Sequence, residues 1–235
     1  MAVSLFKILK YGGGSIVRGT VHIGNVVKET GLPKSEITDT IAEAKDSGMS
    51  SAFAGMSGRT GADATGHANS ELHDALLAAY GPGPRGGAIN ITAAAKGEGR
   101  SRSTIKRWLK GQAQPKEANR AQLLTNARKA ADTKSGRTAA ITARRDSPAG
   151  AKMAKYGARL TVSGIQGRVG YERDRTVHWE LPAELADDAL KAYEQDGDIG
   201  LADFMADYAN TDDYGNIDDW NVFTFDTVTM DEKAK

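Results

Sequence analysis

A chain of 235 residues can form one large domain or two to three small ones. It contains no cysteine, which excludes a disulfide framework and a thiolate metal site, and no run of about 18 apolar residues, which excludes a membrane-spanning helix. The formal net charge of +1 conceals a division: residues 86–160 hold 17 Lys and Arg against 4 Asp and Glu, whereas residues 180–235 hold 3 against 16.

The chain opens with MAVSLFKILKYGGGS, a short amphipathic stretch interrupted by lysine and unlike a secretory signal, so a cytoplasmic, nucleoid-associated protein is expected. Its GGGS reads as a turn and lacks the Gly-Lys-Ser/Thr ending of a phosphate-cradling loop. From Val21 to Lys45 the pattern fits a first helix-turn-helix. Val27, Ile37 and Ile41 hold buried positions, Gly31 the turn, and Ser35 can cap the second helix after Pro33. Its exposed face is acidic or neutral (Glu36, Thr38, Asp39, Glu43), which leaves open a second DNA-reading unit or a plain helical hairpin. Residues 47–70 are small, polar and glycine-rich and read as a linker. Ser70 to Gly81 reads as a short capped helix, and GPGPRGG after it as a boundary. Residues 1–82 are thus expected to form one helical region.

Residues 86–158 read as a basic DNA-binding domain. In Asn90–Lys116, Ala95 supplies the small residue at a helix crossing. Gly97 and Gly99 supply a turn that can take positive φ, and Ser101 or Ser103 a cap. Ile105, Trp108 and Leu109 form one apolar stripe and leave Arg102, Thr104, Lys106, Arg107 and Lys110 towards solvent. That division suits a recognition helix in the major groove; an ordinary amphipathic helix with a solvated basic face would share it. The basic helical stretch that follows is expected to track phosphates. The expected DNA contacts are Arg100, Arg102, Ser103, Thr104, Lys106, Arg107, Lys110, Lys116, Arg120, Arg128, Arg144 and Arg145.

Residues 159–235 change to an alternating pattern and read as an acidic ββααβ module, giving an α+β fold overall. RLTVSGIQGRVGY predicts two extended pieces broken at Gly164 and Gly167. RTVHWEL predicts a strand, PAELADDALKAYEQ and IGLADFMADYA two helices, and NVFTFDTVT a last strand.

The segments STIKRWLKGQAQPK (103–116), TARRDSPAG (142–150), QGRVGY (166–171), RTVHWELPAEL (175–185) and NVFTFDTV (221–228) together resemble the telomere-protecting terminal proteins of linear actinobacterial plasmids and chromosomes. The resemblance covers roughly residues 88 to 230. It implies a protein that binds telomeric DNA and offers a side-chain hydroxyl to a DNA polymerase, becoming covalently joined to the 5′ end. The implied partners are DNA, a DNA polymerase and a telomere-associated protein; a homo-oligomer is left open, and from the composition no membrane partner is expected. In that family the priming hydroxyl is a threonine in the loop between the two strands. Here that loop is shorter, and Thr176 and Tyr171 are the candidates, beside their plain reading as a strand former and a packing aromatic.

The same contacts would also serve a non-covalent repressor or a plasmid partition or replication factor. No enzyme, cofactor or metal is expected. The chain has no Gly-x-Ser-x-Gly elbow, His67 and His73 are six residues apart, and Asp212, Asp213, Asp218 and Asp219 read as a solvated turn rather than a Mg²⁺ site.

Overall fold

The first forty residues fold into a helical corner because their apolar side chains recur at helical spacing around two turns. In the computed structural model, which describes residues 4–84, 86–211 and 217–233, this corner consists of α1 (Leu5–Gly12), α2 (Ile23–Thr30) and α3 (Lys34–Ser57). Ile8, Val26 and Ile37 are fully buried at its centre. Gly31 ends α2 in the left-handed region, with φ 69°, where a side chain would be strained. Pro33 stands at the start of α3 and Ser35 lies inside that helix, so the expected serine cap is not made.

Residues 47–57, expected as linker, are instead the second half of α3, with Met49, Ala52, Phe53 and Met56 buried in the main core. Their small side chains have a packing reason. A Cβ on Gly55 would strike the Val228 carbonyl, and one on Gly48 would meet that of Phe225 at 3.0 Å. Residues 58–70 are turn-rich but packed. The buried Arg59 donates to the Ala78 carbonyl at 2.5 Å and lies over the Phe53 ring, and burial lowers its pKa to about 10.

Six helices follow: α4 (Leu72–Tyr80), α5 (Ile91–Gly97), α6 (Arg102–Leu109), α7 (Glu117–Asp132), α8 (Lys134–Arg145) and α9 (Pro148–Tyr156). Ser70 does not cap α4; it is buried beside the Thr65 hydroxyl.

The expected α+β class is observed. Strand β1 (Ala158–Arg168) runs unbroken through Gly164 and Gly167, whose φ values of 149° and 144° only glycine adopts readily, where two pieces were expected. It pairs antiparallel with β2 (Arg173–Leu181) on one side. On its other side lie two short strands, β3 (Trp220–Val222) and β4 (Thr227–Glu232). The last strand is therefore split in two. Between its halves Thr224 turns its hydroxyl onto the Ile165 amide at 2.8 Å, opposite Gly164, where a Cβ would collide with the Thr224 carbonyl.

The two helices expected between the strands are the arms of one kinked element, α10 (Ala183–Ala209), broken at Gly197 (φ 66°, ψ −139°). Buried Arg137 of α8 fixes that kink. Its guanidinium donates to the carbonyls of Glu194 (3.3 Å) and Gln195 (2.8 Å) at the end of the first arm. It also donates to those of Ala131 (3.1 Å) and Asp132 (2.9 Å) at the end of α7. One side chain thus satisfies the orphan carbonyls of two helix ends. A single apolar cluster runs from Val17 to Met230, so the sequence boundaries near 82–86 and 158–159 do not separate cores.

Candidate nucleic-acid interface

The α5–α6 corner forms because its signals are local and agree. Asn90 accepts a hydrogen bond from the Ala93 amide at 3.1 Å and caps α5; Ser101 accepts from the Thr104 amide at 3.1 Å and caps α6. Ala94 and Ala95 are buried at the crossing, against Ile105 and Trp108. Of the two turn glycines only Gly99 uses its freedom, with φ 61°. Gly97 is needed for room: a Cβ there would overlap the Tyr80 ring.

The turn is tied down by a polar triad that the sequence reading missed. The Tyr80 hydroxyl donates to Glu98 Oε1 at 2.5 Å, and Asn126 Nδ2 reaches both the Tyr80 oxygen (3.0 Å) and Glu98 Oε1 (3.1 Å). Burial is the main cause of the raised Tyr80 pKa, with the Glu98 hydrogen bond next, so the phenol holds its proton and its donor role. These partners come from α4 and α7, 18 and 28 residues away from Glu98.

The expected DNA contacts divide into two groups. Arg102, Lys106, Arg107, Lys110 and Lys116 are exposed, and none joins an ion pair among the described residues. Ser103 and Thr104 share hydrogen bonds with the Ser101 hydroxyl at 2.7 and 2.9 Å. Arg100 is also exposed and donates to Asn119 Oδ1 at 2.6 Å.

The second group is occupied by the fold. Arg120 donates to the Ala68 (3.1 Å) and Ser70 (2.6 Å) carbonyls. Arg128 pairs with Asp46 at 2.8 Å and donates to the Thr65 carbonyl. Arg144 donates to the Met230 carbonyl at 2.7 Å. Arg145 bridges Asp187 (3.0 Å) and Glu194 (2.9 Å). Arg120, Arg128, Arg144 and Arg145 thus each have acceptors inside the molecule, with which a phosphate would compete. The acidic C-terminal part supplies several of them, and Lys152–Glu232, Arg159–Glu180 and Arg18–Asp203 pairs extend the same neutralisation.

The two candidate hydroxyls lie far from this corner in the chain. Thr176 is exposed on β2 and shares a 2.7 Å hydrogen bond with the Ser163 hydroxyl across the sheet. Tyr171 stands at the tip of the β1–β2 hairpin, 72% exposed, with its ring free of the core. His67 pairs with Asp46 and His73 with Asp74. Among the described residues no three His, Asp or Glu are grouped to hold a metal ion; Asp212 and Asp213 lie outside them. No helix among the described residues is long and apolar enough to cross a membrane. No family model, curated protein or solved structure matches the chain.

Proposed function

We propose that the chain binds duplex DNA by placing α6 in the major groove. The observation that carries this reading is the division of α6. Ile105 and Trp108 are buried, while Arg102, Lys106, Arg107 and Lys110 are exposed cations that join no ion pair among the described residues. An unpaired guanidinium or ammonium can neutralise phosphate without first breaking a contact of the fold, and each neutralised phosphate releases a condensed counterion. The first helical corner is not assigned this role, because exposed Asp39 and Glu43 lie on the early turns of α3 and would repel the backbone. Binding measured over a range of salt tests the reading. Replacing Arg102, Lys106 and Arg107 together by alanine should lower affinity and reduce the log–log salt slope by about three units, roughly one per phosphate contact. An unchanged slope removes α6 from the interface.

The finer reading is protein priming, as the resemblance implies, with DNA polymerase and a telomere-associated protein as partners. The hydroxyl oxygen of Tyr171 or Thr176 would attack the α-phosphorus of a nucleoside triphosphate. A phosphodiester forms, pyrophosphate leaves, and the hydroxyl proton passes to the polymerase's base. Of the two, Tyr171 is the more accessible, because Thr176 is engaged by Ser163. Incubation with the cognate polymerase and a labelled nucleotide should give label that survives denaturation and is lost in Tyr171→Phe. Loss only in Thr176→Val would move the role to the strand. No label, where a known terminal protein is labelled, would leave a non-covalent regulator as the function.

A further inference from the structure

The small side chains along the second half of α3 do more than let that helix approach β4. Between α3, the turn that follows it and β4 lies a cleft of about 520 Å³, a volume within the range of small-ligand sites. Ser51, Ala54 and Gly58 line it from the helix and its cap, Asp63 from the turn, and Thr229 and Asp231 from the strand. Among the described residues of the lining Arg144 is the one cation, set against the carboxylates of Asp63 and Asp231.

Arg144 reaches the cleft with its guanidinium only partly used by the fold. Nη2 donates to the Met230 carbonyl at 2.7 Å, whereas Nε is buried and meets no acceptor, and the side chain joins no ion pair among the described residues. Gly58 makes room for it, since a Cβ there would lie 2.0 Å from Nη1. Burial lowers the Arg144 pKa, and Glu232 and Asp231 oppose this from beyond ion-pair distance. Of those two, Glu232 is engaged by Lys152. A guanidinium withdrawn from water without a bonded anion is costly, and a ligand carboxylate would supply the missing counter-charge.

The two carboxylates restrict what such a ligand can be. Burial raises the Asp63 pKa, but hydrogen bonds from Ser70 and Thr65 more than reverse it, so this carboxyl is ionised. Asp231 is exposed and joins no ion pair among the described residues. A simple anion would be repelled by these two groups, and a simple cation by Arg144. One molecule that carries both charges complements the whole lining.

We propose that this cleft binds a small zwitterion of amino-acid or dipeptide size, its carboxylate at Arg144 and its ammonium towards Asp63 and Asp231. The site is separate from α6 and stands whether or not the chain binds DNA. Thermal melting of the full chain with each common amino acid and its glycyl dipeptide, at about 10 mM, tests it. At least one should raise the melting temperature by about 3 °C or more, as a ligand held well above its Kd does in a chain of this size. Amidation of that ligand's carboxylate, or acetylation of its amine, should weaken binding at least about tenfold in calorimetry. Asp231→Asn, at an exposed position, should weaken it about tenfold, and Arg144→Lys, which keeps the charge but not the planar fork, by at least as much. Ala54→Leu, which fills the cleft without removing a polar group, should abolish binding with the circular dichroism spectrum unchanged. No shift with any of these compounds overturns the proposal. So does an equal response to acetate or inorganic phosphate, or binding that survives Ala54→Leu.

Discussion

The α6 corner and the α7–α8 pair are both rich in arginine and lysine, yet their cations have opposite fates. Arg102, Lys106, Arg107 and Lys110 leave the surface of α6 with no acceptor among the described residues, whereas Arg128, Arg137, Arg144 and Arg145 are bonded to carbonyls and carboxylates of the fold. A basic stretch therefore records two demands that composition cannot separate. One is affinity for an anionic partner; the other is neutralisation of helix ends and of an acidic C-terminal module. The lesson is that net charge should be read after internal pairing has been removed. By that measure the cationic surface of residues 86–160 is concentrated at the corner and thinned along the two helices after it.

Three substitutions sharpen this contrast, and the largest effect belongs to the hidden cation. Arg137→Leu strips four carbonyls at two helix ends of their donor. We expect a loss of about 3 kcal/mol in urea unfolding, with DNA affinity per folded molecule unchanged. A loss confined to DNA binding would put Arg137 in the wrong group. Arg145→Ala comes next. Removing its two ion pairs should lower stability by about 1 kcal/mol while leaving the salt slope of binding where it was. A slope reduced as far as Arg107→Ala reduces it would erase the distinction between the regions.

The smallest effect is acid-dependent. The hydrogen bond from Arg128 is the first cause holding the Asp46 carboxyl below its ordinary value of 3.8, with His67 adding to it. A carboxylate whose pKa is depressed by folding stabilises the native state above its unfolded pKa and loses that contribution as pH falls through the folded one. Asp46→Asn should therefore cost about 1 kcal/mol at neutral pH, and the gap from the unchanged protein should close below pH ~4. A gap that persists at acid pH would assign the effect to packing.

What could be read from the sequence followed how local each signal was. The α5–α6 corner was legible in outline, with Ser101 or Ser103 as cap and two candidate turn glycines of which only Gly99 takes positive φ, because its signals lie within twenty positions of one another. Strand β2 was legible from clean alternation, and the break in α10 from the Gly197 region between two periodic segments. The second half of α3 was hidden, since glycine, alanine and serine chosen for close approach to β4 have the composition of a linker. The internal bonds of the arginines of α7 and α8 left no local signal, because their acceptors lie tens of residues away, as Met230 does from Arg144. The Tyr80–Glu98–Asn126 triad was invisible for the same reason.

Helix α3 joins these observations in another way. Its 24 residues span roughly 36 Å at the α-helical rise. One end is locked into the small corner around Ile37 and the other into the main core around Phe53 and Met56. The segment that resembled a tether is a strut. The first corner cannot swing on it to search for a binding surface, and any partner that touches both that corner and the body must already match the interval the strut sets.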